Sequence, residues 1–113
     1  MHKLLKTNLE ARSVALNSSA TNLSLFAEEG VQALGIYLNP RQLYENKVEA
    51  NHVVVLHVFQ GAGEFEVIQE GQGILKAQIT RGDIFSLPAL CSYKIDNQSK
   101  SNFIASVLVV QTQ

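Results

Sequence analysis

The sequence predicts an all-β fold: a single domain of short antiparallel strands closed into a small barrel or sandwich. Three observations carry that expectation. Segments rich in Val, Ile, Phe and Tyr recur along the chain and are cut by Gly, Pro, Asn and Asp about every ten residues, the rhythm of barrels and sandwiches. Helical periodicity is confined to one short amphipathic stretch within Leu4 to Leu16. A length of 113 residues at 46% apolar content suits one core, since two would each be too small for burial to offset ordering.

In chain order, an amino-terminal segment over residues 1–20 precedes the strands. The expected strands are Leu23 to Ala27, Gln32 to Asn39, His52 to Gln60, Phe65 to Gln69, Ile74 to Thr80, Ile84 to Leu87, Ser92 to Ile95 and Phe103 to Val110. Each is bounded by turn chemistry: Glu28-Glu29-Gly30, Asn39-Pro40, Gly61-Ala62-Gly63, Glu70-Gly71-Gln72-Gly73, Arg81-Gly82-Asp83 and Asp96-Asn97-Gln98-Ser99. Two strands are apolar on both alternating sides. Val54, Leu56 and Val58 back onto Val53, Val55, His57 and Phe59, and Phe103, Ala105, Val107 and Val109 back onto Ile104, Leu108 and Val110. A small barrel buries only its inner face, so the other side needs cover from the amino-terminal segment or a second subunit, and a homodimer is expected.

Charge narrows the function classes. Nine Lys and Arg balance ten Asp and Glu without any run of like sign, which leaves no footprint for nucleic acid or an anionic membrane. No apolar run approaches the roughly 20 residues of a membrane helix. Thr7-Asn8-Leu9-Glu10 interrupts the stretch a signal peptide would need, and Cys91 is the sole cysteine, so a cytoplasmic protein without disulfides is expected.

The run Val55-Leu56-His57-Val58-Phe59-Gln60-Gly61-Ala62-Gly63-Glu64-Phe65-Glu66-Val67 resembles the first motif of the cupin superfamily, an apolar strand ending in Gly-x-Gly. There the glycines serve a positive φ and a close approach of two strands. Gly82-Asp83-Ile84-Phe85-Ser86-Leu87-Pro88, continuing through Tyr93 to Asn97, resembles the second motif, and Asn39-Pro40-Arg41-Gln42 resembles the proline turn upstream. The similarity runs from Leu34 to Val110, roughly two-thirds of the chain, and implies a small single-domain jelly-roll barrel over residues 34–110.

Metal-binding cupins resemble one another in offering two His, a Glu and a third His, a set suited to Fe, Mn, Ni or Zn. The resemblance places those ligands here at Lys47, Glu49, Val54 and Tyr93. An ammonium, a carboxylate, an aliphatic group and a phenol make a poor transition-metal site, so no metal and no cofactor is expected. His52 shares strand parity with Val54, and a shifted site around Glu49 and His52 is the alternative.

What remains is a pocket. Parity and motif position nominate Glu49, His52 and Tyr93 as candidate acid–base groups, with Arg41, Tyr44, Lys47, Leu56, Phe85 and Cys91 as candidate ligand-binding residues. The first reading is a metal-free cupin that binds a small molecule in the barrel cavity. A second is a metal-independent isomerase, epimerase or lyase acting on a carbohydrate or small carboxylic acid, with His52 or Glu49 as base and Tyr93 as acid. A third is a structural or regulatory dimer without a ligand, which an interior filled by Leu56, Val58, Phe85 and Val107 would favour.

Overall fold

The structure is a computed structural model and describes residues 22–112. The short helix expected within Leu4 to Leu16, and the segment 1–20 as a whole, lie outside the described residues. Among the described residues nine strands follow one another: β1 (Asn22–Glu28), β2 (Val31–Leu38), β3 (Leu43–Lys47), β4 (His52–Gln60), β5 (Ala62–Gln69), β6 (Gly73–Thr80), β7 (Ile84–Leu87), β8 (Cys91–Asp96) and β9 (Phe103–Gln111). They form two sheets, one ordered β1-β2-β9-β4-β7 and the other β3-β8-β5-β6, and every neighbouring pair is antiparallel. Among the described residues no helix is long and apolar enough to cross a membrane.

The sheets pack face to face around one core. Ile36, Leu38, Leu56, Val58, Phe103, Ala105 and Val107 enter it from the larger sheet, and Tyr44, Phe65, Ile79, Cys91, Tyr93 and Ile95 from the smaller. On β4 the alternation that the sequence displays is the alternation observed: Val54, Leu56 and Val58 are buried inward, while Val53, Val55 and His57 on the outward side are only half-buried. On β9 the inward Phe103, Ala105 and Val107 are buried, and so is the outward Ile104. Val107 lies opposite Leu56, which fixes the register at the centre of the larger sheet.

One strand escapes the sequence pattern. Leu43–Lys47 pairs with β8 along its whole length, yet only Tyr44 of its five residues is buried, so it has no apolar alternation to announce it. A second difference lies at Gly61-Ala62-Gly63, where the chain breaks only at Gly61, and Ala62 and Gly63 already belong to β5.

The two ends of the core are tied by main-chain bonds between loops. The Val48 N–H donates to the Cys91 carbonyl and the Leu90 N–H to the Val48 carbonyl, both at 2.8 Å, which draws the β3–β4 loop against the start of β8. At the other end the Arg41 N–H donates to the Asn97 carbonyl at 2.6 Å and the Asn97 N–H to the Gln42 carbonyl at 3.0 Å. The free edges are β1 and β7 of the larger sheet and β3 and β6 of the smaller, and β6 and β7 lie at a seam where they do not pair with each other.

Candidate functional site

Tyr93 sits midway along β8 and points into the core, where it is 3% exposed. Its ring lies 6.1 Å from that of Tyr44, and its hydroxyl is hydrogen-bonded to the Tyr44 hydroxyl. Asn46, the residue opposite Tyr93 in the β3–β8 ladder, donates from Nδ2 to the Tyr44 hydroxyl at 3.0 Å. A short polar chain, Asn46 to Tyr44 to Tyr93, therefore runs from the exposed edge of the barrel into its interior. Asn46 carries no sequence motif; its only signal is that it shares strand parity with Tyr44.

Burial, reinforced by the neighbouring Tyr44, pushes the Tyr93 phenol far above its ordinary value of 10.0. The folded chain thus keeps a proton that the unfolded chain gives up once the pH passes about 10. Tyr93 contributes its full stability below that pH, and above it stability falls by about 1.4 kcal/mol per pH unit for this one proton. Urea unfolding between pH 8 and 11 should show that slope in the native chain and a shallower one in Tyr93→Phe; equal slopes would mean that Tyr93 is not the group responsible. Burial likewise pushes the Cys91 thiol up, with its backbone hydrogen bond opposing in part, and the side chain is fully enclosed. A thiol so placed is a small apolar filler and not a nucleophile.

The other nominated residues lie in different places. Lys47 ends β3 and is exposed, Glu49 is exposed on the β3–β4 loop, and Arg41 is exposed in a turn with φ of 67°. His52, at the start of β4, is half-buried with Nδ1 2.8 Å from the Ala50 carbonyl oxygen. It lines a shallow depression of about 340 Å³ with Glu28, Gln32, Val109 and Gln111, whereas Tyr93 lines another with Glu45, Lys47, Glu66 and Lys94. Leu56 is fully buried in the core, so it packs and presents nothing to a ligand. The residues brought together are Tyr44, Tyr93 and Cys91, and, through Phe65, Phe85: the Phe65 ring lies 6.2 Å from Tyr93 and stacks on Phe85 at 5.0 Å.

The four metal-ligand places do not fit an ion. Val54 is buried without a donor atom, Tyr93 keeps its proton and engages Tyr44, and Lys47 and Glu49 are exposed. Among the described residues no three His, Cys, Asp or Glu side chains gather to hold a metal.

An apolar opening among the described residues lies on the seam. Between β6 and β7 is a crevice of about 260 Å³ lined by Phe65, Val67, Leu75, Ala77, Phe85, Leu87 and Pro88, with Gln69, Lys76 and Ser86 at its rim. The stacked pair Phe65 and Phe85 lines it, and Leu75, although it has inward parity opposite Val67, is 69% exposed beside it. Sequence parity alone puts Leu75 in the core; the parting of the two sheet edges is what leaves it in water.

No family model matches the chain, and no curated protein matches its sequence. Solved structures match its shape. The protein BH2720 from Bacillus halodurans superposes with a TM-score of 0.78 at 12% identity, over 98% of this chain and 83% of its own. An uncharacterized conserved protein with a double-stranded β-helix domain from Klebsiella pneumoniae gives 0.71 at 15% identity, over 87% and 84%. The cupin domain of Cnp3 from Schizosaccharomyces pombe gives 0.65 at 17% identity, over 80% and 59%. Two antiparallel sheets in this order, the Gly-x-Gly at the β4–β5 junction and these superpositions agree: the chain has the cupin fold, a double-stranded β-helix.

Proposed function

We propose that this chain is a metal-independent binding cupin that takes a small, flat, largely apolar molecule in the crevice between β6 and β7. The observation that supports the reading is the crevice itself: its wall is apolar and aromatic, and only Gln69, Lys76 and Ser86 offer hydrogen bonds at the rim. At about 260 Å³ it falls just below the ~300–1,000 Å³ of drug-sized sites, which suits a single substituted ring. At the barrel centre Leu56, Val58 and Val107 are packed with no exposed surface. A catalytic reading needs a base facing the Tyr93 acid; His52 lines a different depression, so binding is the function the geometry supports better.

A thermal-shift screen of the full chain against small aromatic acids, alcohols and amides tests this, with Mn²⁺, Fe²⁺, Ni²⁺ and Zn²⁺ in the same plate. A ligand at 100 times its Kd stabilises the folded state by about 2.7 kcal/mol, a rise of roughly 10 °C or more for a domain of this size. Ala77→Trp, which fills the crevice from an exposed position on β6, should abolish the shift while leaving the chain folded. A chain stabilised by one of the metals and by none of the organic compounds would overturn the reading.

A further inference from the structure

The wall of the β6–β7 crevice is apolar, but its lip carries charge. Phe65 and Phe85 stack at 5.0 Å in the wall with Leu75 and Pro88 beside them, and none of these side chains offers a hydrogen bond. Three polar side chains reach the opening: the Gln69 amide, the Ser86 hydroxyl and the Lys76 ammonium. All three can donate, and an ammonium can do nothing else. Among the described residues no Asp or Glu lines the crevice. A cationic guest would therefore meet like charge at the lip, and a neutral one would leave the ammonium unused.

Lys76 has charge to spare. On the outward side of the smaller sheet Glu66 lies opposite both Lys76 and Lys94 in the ladders, at 3.7 Å from the first and 3.5 Å from the second. Two ammonium groups share one carboxylate, so the triad holds a surplus positive charge. Lys76 makes the longer pair, is the more exposed of the two lysines, and sits on the free edge β6. An exposed pair of this kind contributes little to stability. Lys76 can turn its flexible stem from Glu66 to the seam while Lys94 keeps the carboxylate paired.

We infer that the crevice takes a cyclic carboxylic acid as its anion, with the ring against Phe65 and Phe85 and the carboxylate at the lip beside Lys76, Gln69 and Ser86. This rests on the reading of the crevice as a binding site and adds the charge of the ligand. Solvation fixes the orientation. A carboxylate pressed against the aromatic wall would lose its water with no donor in exchange, whereas at the lip it gains an ammonium, an amide and a hydroxyl and stays partly wet. A volume of about 260 Å³ suits the ring alone, with the charged group outside it.

The test is isothermal titration calorimetry of the full chain at pH 7 with benzoate, benzamide and benzamidine, which are nearly isosteric and are negative, neutral and positive; the matching naphthalene series accompanies them. Benzoate is expected to bind at least about tenfold tighter than benzamide, with benzamidine the weakest. Raising NaCl from about 50 to about 500 mM should weaken benzoate and leave benzamide unchanged, because the lip is open to solvent. Lys76→Ala, at an exposed position and confirmed as folded by circular dichroism, should bring benzoate down to the affinity of benzamide. Glu66→Gln, which releases both lysines from their shared carboxylate, should tighten benzoate about threefold or more. Benzoate and benzamide bound equally, and both lost in Ala77→Trp, would overturn the inference and leave the crevice reading standing. A preference for benzoate that survives Lys76→Ala, or no gain from Glu66→Gln, would overturn the inference too. If no member of either series binds, or if benzoate still binds Ala77→Trp, the inference and the crevice reading fall together.

Discussion

Asn97→Ala is expected to lower the stability of the chain by about 3 kcal/mol or more, the sum of several buried hydrogen bonds worth ~1–3 kcal/mol each when one partner is left unsatisfied. Asn97 is fully buried and, apart from tyrosine hydroxyls and the Cys91 thiol, carries the one buried polar side chain among the described residues. Its Nδ2 donates to the carbonyls of Leu38 and Asn39, both at 3.1 Å, and of Ser101 at 2.9 Å. Its Oδ1 accepts from Ser99 Oγ at 2.7 Å and from the Ser99 N–H at 3.2 Å. One amide thus joins the end of β2, the turn into β3 and the β8–β9 loop. Urea unfolding should show the midpoint falling by about 2 M at unchanged slope. Asn97→Asp separates hydrogen bonding from volume, because the shape is kept and the donor is lost. Near neutral pH it should be at least as damaging as Asn97→Ala, since a carboxylate would face three carbonyl oxygens. Its folded pKa would be raised above the unfolded ~3.9, so its stability is greatest below that pH and declines as the pH rises. Wild-type stability in Asn97→Asp at pH 7 would show that the amide donor is not what holds this corner.

Asn97 also shows how the sequence speaks and where it stops. Its distance from Gly82 and Pro88 marks it as a motif position, but nothing local says that its side chain reaches residues 38, 39 and 101. The strands were legible wherever burial imposed a period of two. β4 and β9 stand in the middle of the larger sheet and carry apolar residues on both alternating sides, so their bounds and parity can be read almost directly. β3 is an edge strand with one buried residue, and β6 is apolar in sequence yet buries only Ile79 of its eight residues. In both, the edge of a sheet relaxes the demand that writes the pattern.

The site divides in the same way. The cupin resemblance, counted back from Gly61 and forward from Pro88, places the four metal-ligand positions, and of these Val54 and Tyr93 belong to the buried core. The crevice was not legible, because it depends on how far the edges β6 and β7 part, a distance set by the whole core and by no single segment. Phe85 was nominated from its motif, but its stacking partner Phe65, on the other sheet, was not. The outward face was half legible: the sequence shows that β4 and β9 have a second apolar side, and only the sheet order reveals that β2 and β7 extend it into one uncharged surface.

Substituting the glycines by alanine should sort them by cause. Gly61 has φ of +89°, and a Cβ there would meet the Asn102 carbonyl oxygen at 2.7 Å and the Phe103 Cα at 3.1 Å. Both obstacles are backbone, and Phe103 is fully buried, so neither can move aside. Left-handed strain of about 1–2 kcal/mol and overpacking of about 1–3 kcal/mol should therefore combine to roughly 3–4 kcal/mol for Gly61→Ala. Gly63 needs no positive φ, but its added Cβ would lie 2.7 Å from the Asp96 carbonyl oxygen, so Gly63→Ala should cost only the overpacking, about 2 kcal/mol. Gly71, with φ of +79° and nothing within 4 Å, should cost only the strain, about 1 kcal/mol. Equilibrium urea unfolding of the three variants reads this order directly. If Gly71→Ala proved as damaging as Gly61→Ala, backbone conformation alone would explain both, and the close approach of the β4–β5 junction to the start of β9 would not be what demands glycine there. If the order holds, the Gly-x-Gly of this barrel needs its two glycines for different reasons: the first for a turn and a contact together, the second for a contact alone.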